Sequence, residues 1–232
     1  MEFTINREIF KKVPNLKVGI IVIGNADNTA DIGDFVEVEY AEIAGKASAK
    51  FDGVELAEYT VIKKWREVYR GFGEKKARSS IESLIRRVVS GKGLYSINPL
   101  VDIYNLASLK FELPCGGEDT DAMDAGLELT FADGGEIFIP LGGTLEERPN
   151  AGEIIYKSGN AVVCRNFNYR ESDATKLTAD TKNAVIVFEE ISGGEDNLKS
   201  ALKWTAGKVT ELLGAEITAN TILDETHSGL TW

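Results

Sequence analysis

Two short segments set polar groups among apolar ones in a way that invites chemistry. In Ser96-Ile-Asn-Pro-Leu-Val-Asp-Ile-Tyr-Asn-Leu106, Asp102 and Asn105 stand three residues apart among Leu100, Val101, Ile103 and Leu106. On a helix that spacing puts them on one face. A polar group buried there without a partner costs about 1–3 kcal/mol. Both must therefore bond something: the protein, as caps or loop anchors, or a ligand. The second segment, Cys164-Arg-Asn-Phe-Asn-Tyr-Arg-Glu-Ser-Asp173, interleaves Phe167 and Tyr169 with Arg165, Asn166, Asn168, Arg170, Glu171 and Asp173. That mixture suits stacking and hydrogen bonding to a nucleotide or an amino acid. It suits an ion-paired structural loop equally well.

Most familiar chemistries find no support. The one histidine, His227, lies in Glu-Thr-His-Ser-Gly with no signature of a catalytic triad around it. A site built on several histidine ligands is excluded, and Cys115 and Cys164 are too far apart in sequence for a Cys-x-x-Cys metal or redox site. No Walker loop is present and no Gly-x-Gly-x-x-Gly follows a strand. No metal and no cofactor is expected. The Gly pairs at 116–117, 134–135, 142–143 and 193–194 read as turns, and any of them can also present N–H groups to an anion or an oxyanion. Cys115 is a candidate nucleophile or a small buried hydrophobe.

The elements that must hold these residues follow from periodicity. Helical spacing covers 5–12, 55–70, the segment after the Ser79-x-x-Glu82 capping box, Leu100–Leu109 and Asn197–Leu213, the last read as a closing helix. Phe35–Ile43 fits neither period. Leu16–Gly24, Glu153–Lys157, Ala161–Arg165 and Ala184–Glu190 read as strands. Leu127–Phe131 and Glu136–Pro140 flank Asp133-Gly-Gly135 as a β-hairpin would. The order is mainly helices, then strands, then a helix, which favours an α+β fold in one domain over 1–232.

Charge is unevenly placed. The chain carries −11 overall, but Val61–Lys92 holds ten basic residues against Glu67, Glu74 and Glu82. Such asymmetry lets a protein meet a polyanion in one orientation, and it also describes solvated amphipathic helices. The start of the chain lacks a signal-peptide pattern and Val18–Ile23 is too short to cross a bilayer, so a cytoplasmic protein is expected. Oligomeric state is not readable.

An ordered set of motifs resembles the editing module, the third and fourth domains, of bacterial phenylalanyl-tRNA synthetase beta chains. It begins with Asn98-Pro-Leu-Val-Asp-Ile-Tyr-Asn105, then Pro114, then Asp119-x-Asp121, and runs on through Leu127–Leu141 to Thr181–Glu189. Free-standing homologues of that module are more similar still, through Trp65-Arg-x-x-Tyr-Arg-x-Phe-Gly73, Arg78-Ser-Ser-x-Glu82, Arg86-Arg87 and Arg165-x-x-Asn-x-Arg170. The resemblance is strongest over 65–190. It implies a three-layer arrangement, with β-sheets packed together and helices flanking them, and hydrolysis of tRNA carrying the wrong amino acid. It places the aminoacyl pocket between the Asn105 segment and the 165–173 cluster. Asn105 then matches a pocket asparagine, Tyr104 stands where the synthetase has threonine, and Gly116 where it has histidine. The pocket glutamate falls at Glu171 or Asp173. These residues imply a deacylase in which Asn105, Gly116 and Gly117 orient the carbonyl or a water. Asp102, Tyr104, Asn168, Arg170 and Glu171 or Asp173 would bind substrate, and Arg66, Arg70, Arg86 and Arg87 would meet tRNA phosphates. Without the histidine, a binding module for an amino acid, nucleoside or RNA is the alternative, and a Cys115-dependent hydrolase a third reading.

Overall fold

The computed structural model describes all residues 1–232. Ten strands and six α-helices follow one another along the chain: β1 (Glu2–Ile5), α1 (Arg7–Lys12), β2 (Lys17–Gly24), α2 (Gly33–Phe51), α3 (Thr60–Gly71), α4 (Ser80–Val89), α5 (Pro99–Phe111), β3 (Cys115–Asp119), β4 (Leu127–Phe131), β5 (Ile154–Ser158), β6 (Ala161–Arg165), β7 (Arg170–Glu171), β8 (Ala184–Glu190), α6 (Glu195–Leu213), β9 (Glu216–Leu223) and β10 (Gly229–Thr231). No helix is long and apolar enough to cross a membrane.

The strands form two sheets, ordered β10-β1-β4-β5-β6-β7 and β3-β8-β2-β9. β2 and β8 are apolar on both faces because the smaller sheet is covered on both. One face sends Val18, Ile20, Val22, Val185 and Val187 against Phe3, Leu129, Tyr156 and Val163 of the larger sheet. The other sends Ile21, Ile23, Ile186 and Phe188 against Ile103 of α5 and Leu198 and Leu202 of α6. Helices, small sheet and large sheet are thus three layers of an α+β fold, while α1, α3 and α4 join the core between the sheets.

Two helix starts position the site. Asn98 caps α5 through its Oδ1, which accepts the Val101 N–H at 3.1 Å, and Pro99 follows at the first turn. Buried Asn28 accepts the Leu100 N–H at 2.8 Å, which ties this end to the loop after β2. Ser79 caps α4 by accepting the Glu82 N–H, as its sequence motif predicts.

The structure corrects several sequence expectations. The 127–140 hairpin does not form: β4 pairs with β5, from Phe131↔Ile154 to Leu127↔Ser158. The Glu136 carboxylate instead accepts the N–H groups of Asp133 and Gly134, which closes a local loop. Phe138 is then buried with Ile155 and Val162, and Ile137 bridges to Ala161. α2 covers the stretch that fitted neither period. α6 does not close the chain, because β9 and β10 follow it. β9, Glu-Ile-Thr-Ala-Asn-Thr-Ile-Leu, is a half-exposed edge strand whose threonines and asparagine hide its alternation. β1 escapes notice because it is four residues long, yet it lies between β4 (parallel) and β10 (antiparallel).

Gly126 makes the β1–β4 approach possible. A Cβ there would fall inside contact distance of the Glu2 carbonyl oxygen, a backbone atom with little freedom to yield. Gly126→Ala is expected to destabilise the fold by about 1–3 kcal/mol, read as a lowered urea midpoint with an unchanged slope.

Candidate active site between the sheets

A cavity lies between the two sheets, with room for water-sized spheres over about 20 Å³. That is space for one water molecule. Gly116 and Glu118 of β3, Glu189 of β8, Tyr156 of β5, Asn168 and Glu171 line it, and no basic side chain does. Strand alternation explains the membership. Gly116 and Glu118 face inward, whereas Gly117 faces Tyr104 of α5 and Leu177, to which a Cβ would approach within 3.2 Å. Glycine at 116 leaves space for Glu171, whose Oε1 would lie 3.2 Å from a Cβ there. Gly116 and Glu171 are the two half-buried residues of the lining, so the mouth opens beside them, with Tyr104 and Gly117 next to it on the other face of β3.

The backbone of β3 supplies a donor at this mouth. Glu189 N bonds Pro114 O and Thr120 N bonds Asn183 O, so even-numbered residues turn their hydrogen-bonding groups to β8. Asp119 N turns the other way, to Thr175 O at 2.8 Å. By that alternation the Gly117 N–H points away from β8, to the edge along which residues 175–177 run, while Gly116 pairs with Val187.

The carboxyl groups are electrostatically unusual. Burial, then the negative charge of Glu171, pushes Glu118 well above the ordinary range, while Thr175 Oγ1 donates to its Oε2 at 2.6 Å. Burial also raises Glu171. Glu189 is raised to about 7 by burial, against the opposing effect of Tyr156 and Asn168. The Tyr156 hydroxyl donates to it at 2.7 Å and Asn168 Nδ2 at 2.5 Å. Asn168 Oδ1 accepts in turn from Tyr69 OH and Ser80 N, both at 3.0 Å.

The residues singled out from sequence distribute as follows. Glu171 enters the cavity, whereas Asp173 is ion-paired with Lys176 at 2.8 Å and accepts the Gly142 N–H. Asp102 is buried and anchors the preceding loop, accepting from Ser96 Oγ at 2.6 Å and Ile97 N at 3.0 Å. Asn105 is not beside Gly116; it lines a separate cleft of about 410 Å³ between α2 and the 94–99 loop. The helix turns Tyr104, one residue earlier, toward β3 instead. The shared pocket expected for Asn105 and the 165–173 cluster is therefore not formed. Asn168 is spent in the network above, and Arg170 forks onto Glu147 at 2.7 and 2.8 Å. Arg165 pairs with Glu153 and Glu147, so much of this cluster is the ion-paired loop. Cys115 is buried, and burial pushes its thiol well up, which removes the thiolate a nucleophile needs.

Among the arginines, Arg66 and Arg86 both bond Glu82, whose side chain is 0% exposed, at 2.6 and 2.8 Å. Arg87 donates to Gly93 O and lies 4.2 Å over the Tyr95 ring. Arg70 forms no ion pair and lines a surface cleft with Arg66. Sequence reasoning missed Glu118 and Glu189. Their signal was an acid at the inward-facing end of an otherwise apolar or glycine strand.

Residues 64–194 match the family described as the B3/4 domain. Among solved structures, the chain is similar to an N-terminal fragment of the phenylalanyl-tRNA synthetase beta subunit from Pyrococcus horikoshii, at 13% identity and a TM-score of 0.46. The similarity covers 93% of this chain and 49% of that one, so the chain spans about half the fragment's length. No curated protein matches.

The elevated Glu189 gives a stability signature. Its folded pKa of about 7 exceeds the ordinary 4.5, so its contribution is complete below pH about 4.5 and is lost as pH rises through about 7. Urea titrations should show stability falling across that window by on the order of 2–3 kcal/mol. Glu189→Gln, which carries no charge at any pH, should flatten the fall. An unchanged slope in that variant would assign the effect elsewhere.

Proposed function

The chain belongs to the B3/4 domain family, and from this premise, together with its resemblance to the synthetase editing module, we propose that it hydrolyses the ester of mischarged aminoacyl-tRNA. One observation carries the reading: a water-sized cavity under a glycine strand, with three carboxyls inside and an outward N–H at its mouth.

An aminoacyl ester needs a positioned water and donors for the developing oxyanion. In this reading the water occupies the cavity beside Gly116 and attacks the ester carbonyl at the mouth. Its proton passes to the Glu171 carboxylate. Gly117 N–H meets the oxyanion as the carbonyl π bond opens. When the tetrahedral species collapses, the ester C–O bond breaks and the ribose oxygen takes a proton from the carboxyl pair. Glu118, held by Thr175, keeps the second proton in the pair. No histidine, metal or cofactor is required. With about 20 Å³ the cavity admits the water but no amino-acid side chain. The acyl side chain stays outside, against Tyr104, so any selection among amino acids rests on that rim.

The small volume also favours a second reading, a module that binds an aminoacyl or nucleoside group at the mouth without cleaving it. A panel of mischarged tRNAs separates the two. Loss of ester, slowed about 100-fold or more by Glu171→Gln at unchanged urea midpoint, is the result expected of the hydrolase. Because burial raises Glu171, the rate should climb with pH as that carboxyl loses its proton. Intact esters across the whole panel would leave the binding module standing.

A further inference from the structure

The turn Gly71–Gly73 and the start of α4 frame a surface cleft of about 480 Å³ lined by Arg66, Arg70, Lys75, Lys76, Arg78 and Tyr169. Arg70, Lys75 and Lys76 form no ion pair, and Arg78 only a long one of 3.9 Å to Glu82. Glu74 is the one acid in the lining. On a chain of net charge −11 this is an isolated site of positive potential. Tyr169 stands over it with 40% of its surface exposed, an unusual cost for an aromatic ring with no protein partner. The backbone reason is the 166–168 turn, where Asn166 and Phe167 adopt positive φ. Phe167 goes inward against Trp65, Asn168 is fixed by three partners, and Tyr169 is left pointing out.

We propose that this cleft seats a single-stranded RNA segment, with phosphates on Arg70, Lys75, Lys76 and Arg78 and one unpaired base stacked on Tyr169. Flexible cations along a groove track a backbone, and an exposed ring accepts any base whose face is free. A duplex hides those faces. The inference deepens the deacylase reading and rests on it for the identity of the RNA as an aminoacylated end. Tyr169 closes the turn that leads into β7, and Glu171 follows two residues on, within about 7 Å, so a terminal nucleotide stacked on the tyrosine lies beside the strand that carries the cavity carboxyl. Of the four arginines the sequence offered for this task, the cleft holds Arg66 and Arg70, and only Arg70 is unpaired.

The test uses the whole protein and a short labelled single-stranded RNA without an amino acid, by fluorescence anisotropy, from about 50 to 200 mM salt. Single-stranded RNA is expected to bind more tightly than the same sequence as a duplex. Tyr169→Ala should weaken it about tenfold and Tyr169→Phe little. Lys75→Ala/Lys76→Ala should make the logarithmic salt dependence shallower by about 1.4, two phosphate contacts' worth on a single strand. Equal affinity for duplex, or wild-type binding by Tyr169→Ala and by the double lysine variant, overturns the proposal. Because the probe carries no ester, the outcome is independent of hydrolysis. Binding as described with every mischarged tRNA left intact would sink the deacylase alone, and ester cleavage unaffected by these variants would sink the cleft alone.

Discussion

The Asn168 carboxamide is the junction on which the site depends. Its oxygen takes protons from Tyr69 of α3 and from the first N–H of α4, and its nitrogen gives one to Glu189 of β8. Glu189 is in turn held by Tyr156 of β5. One amide thus ties two helices and both sheets together where water is excluded. A group with two donors and an acceptor able to take two bonds suits that place, because a carboxylate could only accept and a leucine would leave three partners unpaired. The same amide fixes the turn that separates the inward Glu171 from the outward Tyr169.

The second constraint is the distribution of buried charge. The cavity gathers Glu118, Glu171 and Glu189 without a cation, and burial raises all three above the ordinary carboxylate range. Around Glu82 the arrangement is reversed: Arg66 and Arg86 hold a fully buried carboxylate below its ordinary range, against the opposing effect of burial. Acid/base work needs the first kind of environment and a stable helix pair the second. The fold keeps them apart, one between the sheets and one between α3 and α4.

What the sequence made legible was local. The Ser79 cap, the helical face of Trp65 and Tyr69, and the apolar β2 and β8 all depend on neighbours in the chain, and all lie where their patterns put them. Contacts between distant residues were not legible. Arg66 sits off the apolar face of its helix and so reads as a free cation, yet the packing of α3 against α4 brings it to Glu82, which Arg86 already reaches from one turn along α4. Glu118 and Glu189 are 71 positions apart in the sequence and meet only because β3 pairs with β8. The choice between Glu171 and Asp173 was a question of strand register, which a two-residue strand cannot reveal without its partner, β6. Asn105 was misplaced for the analogous helical reason, since one residue is about 100° of rotation.

The pairing of β1 with β10 has a consequence for how the protein is made. Residues 2–4 find their antiparallel partners at 229–231, and only then is the edge of the larger sheet complete. During synthesis this strand must wait, with one side unmatched, until residues 229–231 have left the ribosome. Contacts of such long sequence separation slow folding and prolong exposure of unpaired edges. The acidic character of the chain as a whole, which sets nascent copies repelling one another, is a physical safeguard over that interval.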